Sequence, residues 1–238
     1  MNVHGRPSQP SDFADLDKII AKMGGLAEQQ LDLAFVALEK RDPKLAEQVI
    51  ASDRDIDLLE REVEALTLGM IARLRPDERG LRHILGTMRI ASDLERIGDL
   101  GKNMGKRALA IATEQRPKLL IGGLRHMVEM ALGQLKDVLD AYTTRDAARA
   151  YAVWADDANI DAMYNSLFRE LLTYMMEDPR SIGIATHLLF GAKNIERVGD
   201  HTTNIAETVF FLVTGKELAA ERPKLDETST TLIIKDEP

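Results

Sequence analysis

The hexapeptide Leu-Glu-Arg-Ile-Gly-Asp at residues 94–99 recurs as Ile-Glu-Arg-Val-Gly-Asp at residues 195–200, an offset of 101 residues. A second motif, Asp-x-x-x-Asp with isoleucine before its last position, spans Asp53–Asp57 and recurs at Asp157–Asp161 with an offset of 104 residues. Two motifs that repeat at nearly the same offset indicate a duplicated structural unit. The change in offset places a three-residue difference between the two motifs of each copy.

Apolar residues on both sides of these motifs follow the three-and-four spacing of amphipathic helices. The pattern is interrupted at Arg41-Asp42-Pro43, Pro76, Arg116-Pro117, Thr144-Arg145 and Asp178-Pro179. Proline cannot continue a helix interior, so these points mark helix boundaries. We predict helices over about residues 12–41, 43–73, 76–113, 117–143, 145–177 and 179–214.

Six helices in two copies of three predict an all-α fold of two tandem, pseudo-symmetric three-helix bundles. Residues 1–11 are expected to form a flexible N-terminal extension. The first three-helix repeat is expected to span residues 12–114 and the second residues 115–214. The polar segment 215–238 carries little apolar material and is expected to be disordered.

The composition limits the classes of function. The 238 residues are 45% hydrophobic and only 5% aromatic, which suits a packed helical core. There are no cysteines, so thiol chemistry, thiolate metal sites and disulfides are excluded. The formal net charge of −8 argues against nucleic-acid binding. Without a signal sequence or a long apolar run, the chain is predicted to be cytoplasmic.

The duplicated motifs carry the chemistry. Residues four apart on a helix share a face, so each motif presents a pair of carboxylates. In the second copy both aspartates fall on the apolar seam, where bare charges are costly to bury. A cation would remove that cost, and oxygen ligands of this kind suit Mg²⁺, Mn²⁺, Ca²⁺ or iron. The candidate metal ligands are Asp53, Asp57, Glu95, Asp99 and Asn103 in the first copy and Asp157, Asp161, Glu196, Asp200 and Asn204 in the second.

Three alternatives remain open at this point. The carboxylates could instead form salt bridges with Arg96, Arg197, Lys102 or Lys193. The bundle could store metal or act as a metalloenzyme, although it has no Glu-x-x-His pair of the kind that builds di-iron oxidase sites. It could also be a structural scaffold with charged surfaces. His201 has no duplicated counterpart, because Leu100 stands at the matching position, so we interpret it as structural.

The duplicated acidic motifs and their flanking strings resemble those of the PhoU family, accessory regulators of bacterial phosphate transport. The resemblance covers about residues 12–214. It implies two pseudo-symmetric three-helix bundles whose acidic motifs bind metal ions such as Mg, Mn, Fe or Zn. One departure is that Asp99-Leu-Gly-Lys-Asn103 stands in the first copy where the second has Asp200-His-Thr-Thr-Asn204, so the first site is expected to be weaker or to bind a different metal.

The resemblance also implies a function and partners. A family member is expected to restrain the phosphate-starvation response when phosphate is plentiful and to act by contact, not by catalysis. The implied partners are the ATPase subunit of the phosphate ABC transporter and the phosphate sensor histidine kinase. The protein is then expected to be a homodimer that reaches the membrane only through these partners.

Overall fold

The computed structural model describes residues 10–113, 121–156 and 158–218, and every regular element within them is helical. The elements after a 3-10 turn at Pro10–Phe13 are α1 (Ala14–Lys40), α2 (Pro43–Leu74), α3 (Glu78–Ile111), α4 (Ile121–Thr144), α5 (Ala147–Ala155), α6 (Ala158–Glu177) and, after a 3-10 turn at Pro179–Ser181, α7 (Ile182–Thr214). This architecture confirms the predicted all-α fold with two repeats. Most of the expected tail and most of the N-terminal extension lie outside the described residues.

The turn between the first two helices is repeated in the second copy. Arg41 and Arg145, 104 residues apart, each adopt a left-handed conformation, with φ of 54° and 56°. The aspartate that follows each arginine accepts hydrogen bonds from two backbone N–H groups of the next helix. An N-cap of this kind stabilises a helix by about 1 kcal/mol. The Arg-Asp dipeptide therefore both ends one helix and starts the next.

One predicted helix is wrong in detail. The segment expected to be continuous over residues 145–177 is divided into α5 and α6, whereas its counterpart α2 is continuous. Gln134 Nε2 donates to the Asp156 backbone carbonyl (3.2 Å), and Asn159 Nδ2 donates to the Asp156 side chain (2.5 Å). Because the Asp156 carbonyl accepts a side-chain hydrogen bond and its backbone leaves helical geometry, the regular pattern stops there. Asp157 itself lies outside the described residues.

The long helices α3 and α7 run antiparallel along the centre of the molecule. The Arg82 guanidinium lies over the Phe211 ring, His201 contacts Asp93, and the Arg107 guanidinium lies over Phe190. Such pairs straddle Ile97 and Val198, which are copies of each other and fully buried. A local two-fold axis therefore passes near this pair and relates the two repeats.

Each repeat packs its first two helices against its own central helix. Helices α1 and α2 pack on α3, and helices α4, α5 and α6 pack on α7. Helix α1 also contacts α4, so the repeats share one continuous core. Packing is close at two glycines of α3: a Cβ on Gly101 would lie 3.3 Å from Gln30 Cγ, and one on Gly98 would lie 2.9 Å from Ile56 Cδ1. None of the described helices combines enough length and apolar character to cross a membrane.

Candidate functional site

The first acidic cluster lies between α2 and α3 and contains a lysine. Lys102 Nζ lies 2.6 Å from Asp53 Oδ2 and 3.1 Å from Asp99 Oδ1. Asp53 is buried, with 4% of its surface exposed. Hydrogen bonds to these two carboxylates raise the pKa of Lys102, so the ammonium stays charged. A positive charge supplied by the chain itself therefore lies between two of the predicted metal ligands.

The remaining carboxylates of this cluster lie one helical turn away. Arg96 Nε is 3.5 Å from Glu95 Oε2, and Arg96 Nη1 is 3.9 Å from Asp99 Oδ2. Burial, together with the charge of Asp99, raises the pKa of Glu95 despite Arg96; Asp57 adds to that shift. The first cluster therefore contains salt bridges with Arg96 and Lys102, which the sequence allowed as an alternative to metal binding.

The second acidic cluster lies between α6 and α7 and is more deeply buried. Asp161 and Glu196 each have only 5% of their surface exposed. Lys193 Nζ donates to Glu196 Oε1 at 3.0 Å, but the other oxygen, Oε2, is buried without a hydrogen-bond partner. Burial raises the pKa of Glu196; Lys193 opposes the shift, whereas Asp200 and Asp161 reinforce it. This cluster therefore has a buried acceptor oxygen for which the described residues provide no hydrogen-bond donor.

The two predicted asparagine ligands lie apart from these contacts. Asn103 Oδ1 accepts a hydrogen bond from Lys106 (3.3 Å), and Asn204 Nδ2 donates to Asp93 Oδ1 (3.4 Å) across the α3–α7 interface. His201 Nδ1 lies 2.9 Å from the same Asp93 oxygen. The contact with Asp93 agrees with the interpretation of His201 as structural. Asn204 is exposed and shares that interface.

Two buried glutamines belong to the sites but were missed by the sequence analysis. Gln30 and Gln134 are only 4% and 7% exposed and stand 104 residues apart, the offset of the Asp motifs. Gln30 Nε2 donates to Asp53 Oδ1 (3.3 Å), and Gln134 Nε2 donates to Asp156 Oδ2 (3.3 Å). In both residues the amide oxygen is buried without a partner. Their recurrence on the buried face of α1 and α4 was the available signal.

A third polar cluster joins the two repeats where α1, α3 and the end of α4 meet. The Asp17 carboxylate accepts hydrogen bonds from Tyr142 Oη (2.6 Å) and Arg145 Nη2 (2.8 Å), and His83 Nε2 lies 3.2 Å away. Burial alone would raise the pKa of Asp17, but these three partners outweigh it and lower the pKa to about 2. Thr87 Oγ1 lies 3.2 Å from Tyr142 Oη. This cluster connects the repeats and is separate from the acidic motifs.

The two acidic clusters differ in how well they fit a metal ion. Among residues 10–113, 121–156 and 158–218, no three acidic, histidine or cysteine side chains converge as a complete metal-binding group. In the first cluster, the Lys102 ammonium already lies between Asp53 and Asp99. In the second, Thr203 stands at the position matching Lys102, and Glu196 Oε2 is a buried acceptor without a hydrogen-bond partner. Within the described residues, the second cluster therefore offers a hard cation one unsatisfied buried carboxylate oxygen, Glu196 Oε2, and the first cluster offers none.

The fold and the duplicated sites define a class of protein: a tandem pair of three-helix bundles with a buried acidic cluster in each half. The family model described as PhoU domain matches this chain twice, over residues 20–108 and 124–209. The chain therefore belongs to the PhoU family.

Proteins of similar sequence support this membership. The chain is 51% identical, over 221 residues and 93% of each chain, to a phosphate-specific transport system accessory protein PhoU homolog of Rhizobium meliloti. It is 46% identical, over 96% of this chain and 100% of the relative, to the homolog of Caulobacter vibrioides. The family consists of accessory and regulatory proteins and is not a known enzyme family.

Solved structures confirm the fold. The crystal structure of PhoU from Pseudomonas aeruginosa matches 87% of this chain and 99% of its own, with a TM-score of 0.81 and 35% identity. The phosphate transport system regulatory protein PhoU from Streptococcus pneumoniae matches 87% of this chain with a TM-score of 0.77 and 29% identity. Both repeats of the described structure thus follow an architecture known from crystals.

Proposed function

We propose that this chain is an accessory regulator of phosphate uptake that acts by contact and not by catalysis. The observation that carries the proposal is that both repeats match the PhoU family model, while relatives up to 51% identical are named as accessory proteins of phosphate-specific transport. When phosphate is plentiful, the protein restrains the phosphate-starvation response. It does so in the cytoplasm, as a homodimer that binds no nucleic acid.

The partners that we propose are the ATPase subunit of the phosphate ABC transporter and the phosphate sensor histidine kinase. Exposed apolar side chains near the turns between helices support a contact function. Leu68 and Leu81 flank the α2–α3 turn, and their copies Leu172 and Ile182 flank the α6–α7 turn, with exposed fractions between 38% and 67%. Where exposed apolar groups form a contiguous patch, they are typical of surfaces that bind other proteins.

We further propose that the second acidic cluster binds one divalent cation. The carboxylates of the described residues that supply the site are Asp161, Glu196 and Asp200. Their burial makes uncompensated negative charge costly, and the partnerless Glu196 Oε2 offers an oxygen to a cation. Bound metal would neutralise the cluster and fix α6 against α7. Mg²⁺ and Mn²⁺ suit such oxygen ligands best, and iron or zinc would be distinguished by elemental analysis.

The metal part is tested by comparing two matched double variants. Glu196→Gln/Asp200→Asn removes charge from the second cluster, and Glu95→Gln/Asp99→Asn makes the same change in the first. We expect the purified wild-type protein to contain about one divalent ion per chain, the second-cluster variant to contain none, and the first-cluster variant to keep its ion. Equal metal content in all three proteins, or none in the wild type, would contradict the proposal.

The same proteins test the partners. The full chain, immobilised, is expected to capture the transporter ATPase subunit and the cytoplasmic part of the sensor kinase, with weaker capture by the second-cluster variant. In cells, deletion of the gene should switch on a phosphate-starvation promoter in phosphate-rich medium, and the wild-type gene should restore repression. A promoter that stays off after deletion would contradict negative regulation, independently of any result on metal.

A further inference from the structure

The two acidic clusters differ at one pair of equivalent positions. Lys102 on α3 and Thr203 on α7 are 101 residues apart, the offset that relates the two central helices. The Lys102 ammonium bridges Asp53 of α2 and Asp99 of α3 at 2.6 Å and 3.1 Å. Thr203 is fully buried, and its hydroxyl donates to the Gly199 backbone carbonyl at 3.0 Å. At this pair of equivalent positions the first repeat therefore has a cation and the second a neutral hydroxyl.

The lysine lies where a metal ion would have to lie. An ion shared by Asp53 and Asp99 must approach both carboxylates from the space between α2 and α3, and the ammonium occupies that space within hydrogen-bonding distance of both. Only 28% of the Lys102 side chain is exposed, so most of its surface is packed against the protein. Gln30 donates to the other oxygen of Asp53, which fixes the carboxylate toward Lys102.

The second cluster also has a lysine, which comes from a different position on its helix. Lys193 stands three residues before Glu196 on the same helix, where the first copy has Ser92. It donates to Glu196 Oε1 and leaves Oε2 buried without a partner. Its ammonium also lies 5.0 Å from the centre of the Tyr164 ring. Lys193 thus neutralises part of this cluster, but an acceptor oxygen remains available.

We infer that Lys102 is a tethered cation that takes the place of a metal ion in the first repeat, so that only the second repeat is responsive to metal. The inference rests on the proposed metal binding by the second cluster. It predicts that the residue at positions 102 and 203 decides whether each site takes an ion. In a protein that acts by contact, the first repeat would then keep one conformation at any metal concentration, while the second would change with it.

The test exchanges the two residues between the repeats in the full-length chain. Lys102→Thr gives the first cluster the residue of the second, and Thr203→Lys does the reverse. With Mn²⁺ as the probe, we expect about one ion per chain in the wild type, two in Lys102→Thr, none in Thr203→Lys and one in the double variant. Manganese per chain is measured by elemental analysis after equilibrium dialysis, and melting temperatures are measured with and without Mn²⁺.

Loss of Lys102 leaves Asp53 buried without its cation, so Lys102→Thr is expected to melt at a lower temperature than the wild type in the absence of metal. Saturating Mn²⁺ should restore the melting temperature, because a ligand that binds only the folded state stabilises it. Lys102→Met keeps most of the side-chain volume without the charge, and is expected to lower the melting temperature without full rescue because its thioether fills the ion's place. An unchanged ion count in Lys102→Thr, together with no rescue, would overturn the inference.

A third variant separates this inference from the proposal on which it rests. Lys193→Ser gives the second cluster the residue of the first and is expected to bind the same single ion more tightly. If the wild type binds no Mn²⁺ while Lys102→Thr binds one ion, the tethered-cation inference holds and the proposed metal binding by the second repeat fails. If, in addition, Lys193→Ser binds one ion, Lys193 is the tethered cation of the second repeat.

Discussion

Replacing Gly101 with leucine is expected to destabilise the protein by about 3 kcal/mol, in the upper part of the range for overpacked cores. A side chain at this position would begin 3.3 Å from Gln30 Cγ and 3.6 Å from the backbone of Gln30 and Leu31. A Cβ alone is in ordinary contact with this backbone, but the remaining atoms of leucine have no space between the helices. Because the backbone of α1 cannot yield as a flexible side chain can, α1 and α3 would have to separate. The measurement is urea-induced unfolding at pH 7, monitored by circular dichroism, and the quantity compared is the urea concentration at the midpoint.

The control for this prediction is the same exchange at an exposed glycine. Gly133 on α4 has no atom within 4 Å of the place where a side chain would begin. Gly133→Leu is therefore expected to leave the stability unchanged or to increase it by up to about 1 kcal/mol, because leucine favours helix over glycine. Equal loss of stability in both variants would show that the close approach of α1 to α3 does not determine which side chains position 101 tolerates.

Replacing Asp17 with asparagine is expected to cost about 1–2 kcal/mol at pH 7. The fall in the pKa of Asp17 from 3.8 to about 2 would correspond to at most about 2.5 kcal/mol of stabilisation. Since 36% of the side chain remains exposed, solvent screening reduces that value. The substitution removes the negative charge of Asp17, which Arg145 and Tyr142 of the second repeat contact.

The stabilisation that ionised Asp17 provides decreases as the pH falls. A carboxyl whose pKa is lowered by folding stabilises the protein fully above its unfolded pKa, near 4, and the contribution is lost as the pH falls through about 2. Urea midpoints of the wild type and Asp17→Asn should therefore differ at pH 5–7 and converge between pH 4 and pH 2. Asp15→Asn, on the exposed side of the same helix, is the control and should match the wild type at each pH. A difference between wild type and Asp17→Asn that persists unchanged at pH 2 would contradict the assigned role.

The overall fold could be predicted because the information is periodic and repeated. Helical spacing of apolar residues gave the helices, and the duplicated motifs gave the two repeats. The break at Asp156 could not be predicted, because it involves a hydrogen bond from another helix. The Gln134 side-chain amide on α4 donates to the Asp156 carbonyl. A long-range hydrogen bond of this kind leaves no periodic signal in the sequence.

The acidic clusters were found in the sequence because they recur, and the inter-repeat cluster was missed because it does not. Positions matching Asp17, His83 and Tyr142 hold Ile121, Ile184 and Leu38 in the other copy. A polar group that occurs once, on an otherwise apolar face, cannot be recognised by internal comparison. The position of Lys102 between Asp53 and Asp99 was visible only as one of several possible salt bridges, because spacing does not show which carboxylates a flexible side chain reaches.

The antiparallel pairing of α3 with α7 about a two-fold axis is the geometry of a symmetric homodimer, in which the same surface meets itself. Here the two halves are covalently joined, as expected if an ancestral gene for one three-helix unit was duplicated and fused. In such a dimer any substitution changes both sites at once. Within one chain that constraint is absent, so the equivalent positions 102 and 203 can hold a lysine in one half and a threonine in the other.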